Sequence, residues 1–154
     1  MLDIQLLGGF RLVYDDKPLT DFDSPRLQSL IAYLILHPDA PQSRQHIAFL
    51  FWPDSTEAQA RTNLRGLLHR IRQALPSAGD FIASDQSTIH WLQDAPYRVD
   101  MLEFERSLDE AQSLPALREA VDLYRGELLS GLYDAWVLAE RERLAQGFRR
   151  PWSS

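Results

Sequence analysis

The chain opens with a strand-like alternation. Leu2-Asp3-Ile4-Gln5-Leu6 sets an apolar residue at every second position, and Phe10-Arg11-Leu12-Val13-Tyr14 resumes the pattern after a break at Gly8-Gly9. A period of two gathers one set of side chains on one face of a sheet. Asp15-Asp16 is a turn signal, and Lys17-Pro18-Leu19 predicts a short edge segment, where the missing N–H of proline does no harm. Gly8-Gly9 has neither the spacing nor the following helix of a nucleotide-binding loop, so it reads as a simple turn.

From Ser24 the period lengthens to that of helices. Ser24-Pro25 predicts a helix start, with Ser as N-cap and Pro at the first helical position. Leu27, Leu30, Ile31, Leu34 and Ile35 then share one face, and His37-Pro38 ends the element. Asp39 to Gln42 reads as a loop. Ser43 predicts the cap of a second, short helix carrying Ile47, Leu50 and Phe51, which stops at Trp52-Pro53. Asp54 and Ser55 are candidate caps for a third helix, with Glu57 in its first turn and its end near Leu75. Phe81-Ile82-Ala83-Ser84 and Thr88-Ile89-His90-Trp91-Leu92 flank Asp85-Gln86-Ser87, which predicts a hairpin. Strands, three helices and a closing hairpin give the element order of an α+β winged helix-turn-helix.

Beyond Asp100 the pattern is helical throughout. Met101, Phe104, Leu108 and Ala111 form one stripe, and Leu117, Ala120, Val121 and Tyr124 another. Gly126 and Gly131 punctuate a connection. A further helical stretch from Ala135 to about Gly147 carries Val137, Leu144 and Phe148 on one side. Tyr124, Tyr133, Trp136 and Phe148 are expected in the core of this half. Its last helix has no successor to cover it, so the chain reads as a piece of something longer. Residues 151–154 form a tail without structural logic.

Charge sharpens this picture. The net charge of −6 alone argues against a nucleic-acid partner. Its distribution argues the other way. Ala58 to Gly79 contains no Asp or Glu but carries Arg61, Arg65, Arg70 and Arg72. Wound at about 100° per residue, the third helix gathers Ala60, Leu64, Leu67, Leu68, Ile71 and Leu75 on one side. Thr62, Gly66, His69 and Gln73 centre the opposite side. Arg61, Arg65 and Arg72 line one flank of that face and Arg70 the other. Arginine can hold phosphate oxygens or pair bidentately with guanine, Gln can pair with adenine, and Thr can touch a base edge. A mid-helix Gly costs roughly 1 kcal/mol relative to Ala. At the centre of an exposed face, Gly66 would let the backbone approach a groove closely.

Composition closes off other classes. The chain has no Cys, which excludes disulfides, thiolate catalysis and cysteine-bound zinc and fits a reducing, cytoplasmic compartment. Neither a signal-peptide pattern nor a membrane-length apolar run is visible. The four histidines, His37, His46, His69 and His90, lack metal-ligand spacing, and no nucleophile–base constellation stands out. No enzyme, cofactor or metal is expected.

These residues carry a family likeness. Residues 1–100 resemble the winged-helix DNA-binding domain of OmpR-type regulators, in the version found in SARP-family activators. The carrying stretches are LLGGFRLVYDDKPL, SPRLQSLIAYLILHP, SRQHIAFLFWPD and, above all, ARTNLRGLLHRIRQAL. Residues from about Asp100 to Phe148 resemble the start of the bacterial transcriptional activator domain of the same proteins, through VDMLEFERSLDEA, ALREAVDLYRGELLSGLYDAW and LAERERL. The resemblance implies a DNA-binding domain over 1–99 and part of an all-α, tetratricopeptide-like activator domain over 100–150. It implies a third helix in the major groove, a hairpin wing beside it, binding to promoter direct repeats with head-to-tail pairing on DNA, and recruitment of RNA polymerase. Thr62, Arg65, Gly66, His69 and Arg70 match the family's groove-facing positions, and Arg72 a phosphate contact. The sequence departs from the family at the wing, where Asp80 to Asp94 holds no Lys or Arg and leaves His90 or a polar side chain as the remaining contact. The alternative reading is a winged-helix and helical protein-interaction module that does not bind DNA itself.

Overall fold

The computed structural model describes residues 1–110, 115, 118, 126 and 128–149. It is a mixed α/β structure whose contacts divide it into two compact units. One joins Met1–Pro18 with Tyr97–Ser154, and the other is Leu19–Pro96.

In the first unit the N-terminal alternation is realised as strands β1 (Leu2–Gln5), β2 (Arg11–Tyr14) and β3 (Lys17–Pro18). A further strand, β7 (Tyr97–Val99), completes a sheet of order β3-β2-β1-β7. Leu2, Ile4 and Leu6 are fully buried, as a period of two requires. β1 and β2 pair antiparallel from Leu2↔Tyr14 to Gln5↔Arg11, whereas β1 and β7 pair in parallel from Leu2↔Tyr97 to Ile4↔Val99. Asp15 and Asp16 both take positive φ, 48° and 67°, the left-handed pair that a tight two-residue hairpin turn needs. The terminal ammonium of Met1 pairs with the Asp15 carboxylate.

Helix α5 (Asp100–Glu110) follows β7 directly, and buries Met101 and Phe104 while Leu108 is half-buried. Its first residue joins strand and helix. The Asp100 carboxylate accepts the N–H of Leu6 (2.8 Å) and Leu7 (3.1 Å) and that of Met101 in its own helix (2.7 Å). Helix α6 (Ala135–Arg149) buries Trp136, Val137 and Leu144. Its Arg141 guanidinium donates to the carbonyls of Leu128, Leu129 and Leu132 at 2.5–2.7 Å, tying down the segment before the helix. Tyr133 departs from expectation. It is exposed, with the Arg141 guanidinium 5.8 Å from its ring centre. The stripe of Leu117, Ala120, Val121 and Tyr124, together with Ala111, the side chain of Phe148 and the tail 151–154, lies outside the described residues.

The second unit contains α1 (Pro25–Leu36), β4 (Gln42–Ser43), α2 (Arg44–Phe51), α3 (Glu57–Ala74), the single turn α4 (Ala78–Phe81), β5 (Ile82–Ser84) and β6 (Thr88–Trp91). The helices form where the periodicity places them, with Leu27, Leu30, Ile31, Leu34, Ile35, Ile47 and Phe51 in the core. Ser43 caps α2 through its side chain, which accepts the His46 N–H at 3.2 Å. Ser24 precedes α1 with no side-chain cap; its carbonyl accepts the Gln28 N–H at 3.0 Å. The cap of α3 is Thr56, one residue beyond the expected pair, and its hydroxyl accepts the Gln59 N–H at 3.1 Å. β4, expected as loop, exists because Gln42 and Ser43 pair with Ile89 and Thr88 of β6 in a small sheet of order β4-β6-β5. Among the described residues no helix is long and apolar enough to cross a membrane.

Two substitutions check this packing. Leu68 is only 4% exposed. Leu68→Asp should therefore destabilise the unit 19–96 by more than about 4 kcal/mol, by burying an unpaired charge. A melting curve like that of the parent would invert the assignment of faces on α3. Asp100→Ala should cost about 2–4 kcal/mol by stranding the amides of Leu6 and Leu7. An unchanged denaturation midpoint would show that those amides find other partners.

Candidate nucleic-acid interface

Helix α3 spans 18 residues and is amphipathic along its length. Its start is held by the Thr56 cap and by Glu57, and its last turn carries Arg72, charges that match the helix dipole at both ends. Ala60, Leu64, Leu67, Leu68 and Ile71 are buried. With that stripe fixed against the core, Arg61, Thr62, Arg65, Gly66, His69, Arg70 and Gln73 are exposed, and Arg72 is half-buried. All eight residues singled out from the sequence thus lie away from the apolar stripe of a single helix.

Their partners are sparse. Arg61 pairs with Glu57 one turn earlier at 3.1 Å, and Arg70 reaches Asp23 at 3.9 Å. Exposed pairs of this kind contribute about 0–1 kcal/mol and exchange readily for another anion. The Thr62 hydroxyl donates to the Ala58 carbonyl at 3.1 Å. Arg65, His69 and Gln73 have no hydrogen bond or ion pair among the described residues. Gly66 is open: a Cβ built there meets no atom within 4 Å. Nothing in the described packing requires glycine at this point, although the helix loses stability by having it.

The β5–β6 hairpin stands beside this face. Arg72 donates to the Ser84 hydroxyl at 2.6 Å, which links the last turns of α3 to β5. The hairpin tip is closed by Asp85, whose Oδ1 accepts the backbone N–H groups of Ser87 (2.8 Å) and Thr88 (2.7 Å) and both their hydroxyls. The amide of Ser87, then that of Thr88, holds the Asp85 carboxyl below its ordinary pKa, so the tip keeps a negative charge. His90, the one ring in the hairpin available to touch an anion, is half-buried, with Nε2 2.9 Å from the Pro38 carbonyl. The hairpin therefore offers polar groups and backbone, but no cation.

Sequence patterning misses what α2 adds. Arg44 sits at its first position, with its backbone N–H on the Ser87 carbonyl at 2.9 Å, so α2 and the hairpin tip are joined. Phe49 lies off the apolar stripe of α2 and is 68% exposed. A large aromatic out of phase with a helix's buried positions is the signal that could have marked it.

No family model and no curated protein matches the chain. Among solved structures it is similar to Mycobacterium tuberculosis EmbR, described in complex with a low-affinity phosphopeptide, with a TM-score of 0.78 and 20% identity. The superposition covers 96% of this chain and 42% of EmbR, so the chain spans less than half the length of that protein. At this identity the two share a fold.

If Gly66 serves no packing purpose, Gly66→Ala should raise the stability of the unit by about 0.5–1 kcal/mol, the helix-propensity difference. Thermal or urea unfolding checks this, and destabilisation would mean that the added methyl meets an atom after all.

Proposed function

We propose that the chain is a sequence-specific double-stranded DNA-binding transcriptional regulator, with α3 as its major-groove helix. The observation that carries this reading is the side of α3 turned from the core, where Arg61, Arg65 and Arg70 are exposed, Arg72 is half-buried and no acid follows Glu57, while the opposite side is fixed in the core. Here the second unit acts as a winged helix-turn-helix and β5–β6 as its wing. The family likeness of the sequence and the fold shared with EmbR support the reading.

Each residue has a task in it. Arg65 and Arg70 pair with guanine edges or phosphate, Gln73 with adenine, and Thr62 and His69 with base edges. Arg61 and Arg72 take phosphates, the first by releasing Glu57 and the second while braced by Ser84. Gly66 lets the backbone of α3 lie close to the bases. The uncharged wing contacts the backbone through polar groups at most, which makes α3 the main source of affinity. The protein works in the cytoplasm as an activator, without catalysis, cofactor or metal. Pairs of molecules sit head to tail on promoter direct repeats, and the helices after Asp100 belong to a tetratricopeptide-like activator region that recruits RNA polymerase.

The test is a salt titration of binding to a pool of short duplexes, followed by selection of the tightest binders. Phosphate contacts predict an affinity that falls steeply as salt rises, and the selected pool should be enriched in a repeated motif. Arg65→Ala and Arg70→Ala should each weaken binding to that motif by about 1–3 kcal/mol with unchanged melting. Unchanged affinity in both would remove α3 from the recognition role. No binding at low salt would favour a protein-interaction module.

A further inference from the structure

Next to the arginine face lies a groove that shares Arg61 and Arg65 with it and adds residues that the DNA reading leaves without a task. It has a volume of about 1030 Å³ and runs between α2, the first turns of α3 and the tip of the β5–β6 hairpin, within the unit 19–96. Phe49 and Trp52 supply its apolar surface, and Arg44, Arg61 and Arg65 its cations. Phe49 is held 68% exposed on a regular helix, an arrangement that wastes burial unless something covers it. The Nε of Arg44 is sealed from solvent and has no hydrogen-bond partner among the described residues. Of the two acids in the lining, Glu57 is paired with Arg61, and Asp85, bonded by four donors of its own loop, keeps its charge at the hairpin tip, so Arg44 and Arg65 are the cations left for a ligand.

Aromatic surface flanked by guanidinium groups suits a ligand that alternates apolar groups with carboxylates. A DNA duplex engages only the guanidinium groups of this groove and gains nothing from the ring of Phe49. The geometry points to a docking site for a short acidic segment of a partner protein. Its aromatic or large aliphatic side chain packs on Phe49 and Trp52, and a neighbouring carboxylate meets Arg44. Phe49, Trp52 and Arg44 lie on or next to α2 and have no task in the DNA reading, whereas Arg61 and Arg65 are shared with it.

The experiment is selection of a displayed library of random peptides, about twelve residues long, on the whole chain, with and without an excess of a short random-sequence duplex. The expected result is enrichment of peptides that combine Asp or Glu with Trp, Phe or Leu. Phe49→Ala should lower their affinity by about ten-fold or more, as loss of a central aromatic anchor does. Arg44→Gln should weaken acidic peptides and spare versions in which Asn and Gln replace the acids. Melting should be unchanged in both variants. Three results overturn the site: no acidic-apolar enrichment, enrichment indifferent to Phe49→Ala, or displacement of the peptides by the duplex together with equal binding of acid-only peptides. The last result would make the groove a phosphate-binding surface. Failure to bind any duplex would sink the DNA reading and leave this selection intact.

Discussion

Burial of one stripe of α3 governs everything that its other side can do. Leu64, Leu68 and Ile71 are almost completely removed from solvent, each worth about 1.5–3 kcal/mol of transfer free energy. Turning the helix by a single residue would swap these side chains for Arg65, His69 and Arg72. No surface contact in this unit is strong enough to oppose that cost. The orientation of the basic face is therefore set by hydrophobicity, before any ligand arrives. The Thr56 cap and the link from Arg72 to Ser84 then hold the two ends of the helix.

Against this rigid frame, the electrostatics of the chain are uneven. The whole chain carries −6, yet α3 has no acid beyond Glu57. Its arginines meet weak counter-charges, Glu57 and Asp23, across exposed contacts. The hairpin tip adds a carboxylate that is kept ionised by its own amides. An incoming polyanion thus meets a narrow cationic strip with repulsive surroundings, which favours one orientation over many.

Much of this was legible in the sequence because it is written in short-range patterns. A period of two located β1 and β2, a period near 3.6 located α1 to α3, and the lack of acids from Ala58 to Gly79 marked the face that the structure exposes. Ser43 was recognisable as a cap because its bond closes within three residues. What escaped depends on distant partners. β4 is a strand only because β6 lies beside it, and β7 only because β1 does. Asp100 looks like an ordinary helix-start acid until the amides of Leu6 and Leu7 are found on it. Tyr133 carries the composition of a core residue yet lies exposed, with Arg141, eight positions later in the sequence, over its ring. The groove at Phe49 joins three separate elements, so no window of sequence contains it.

The parallel pairing of β1 with β7 has a consequence for how the chain is made. The bond from Leu6 to Asp100 joins residues 94 apart, so β1 must wait for the last strand of its sheet to be synthesised. Closing so long a loop is entropically slow, while the contacts of residues 19–96 are available much sooner. The intervening unit can fold as soon as its own hairpin is complete, and once compact it shortens the flexible span between the waiting strands. Until then β1 has a free edge on the side that β7 will take, with the hazard that an unpaired strand brings.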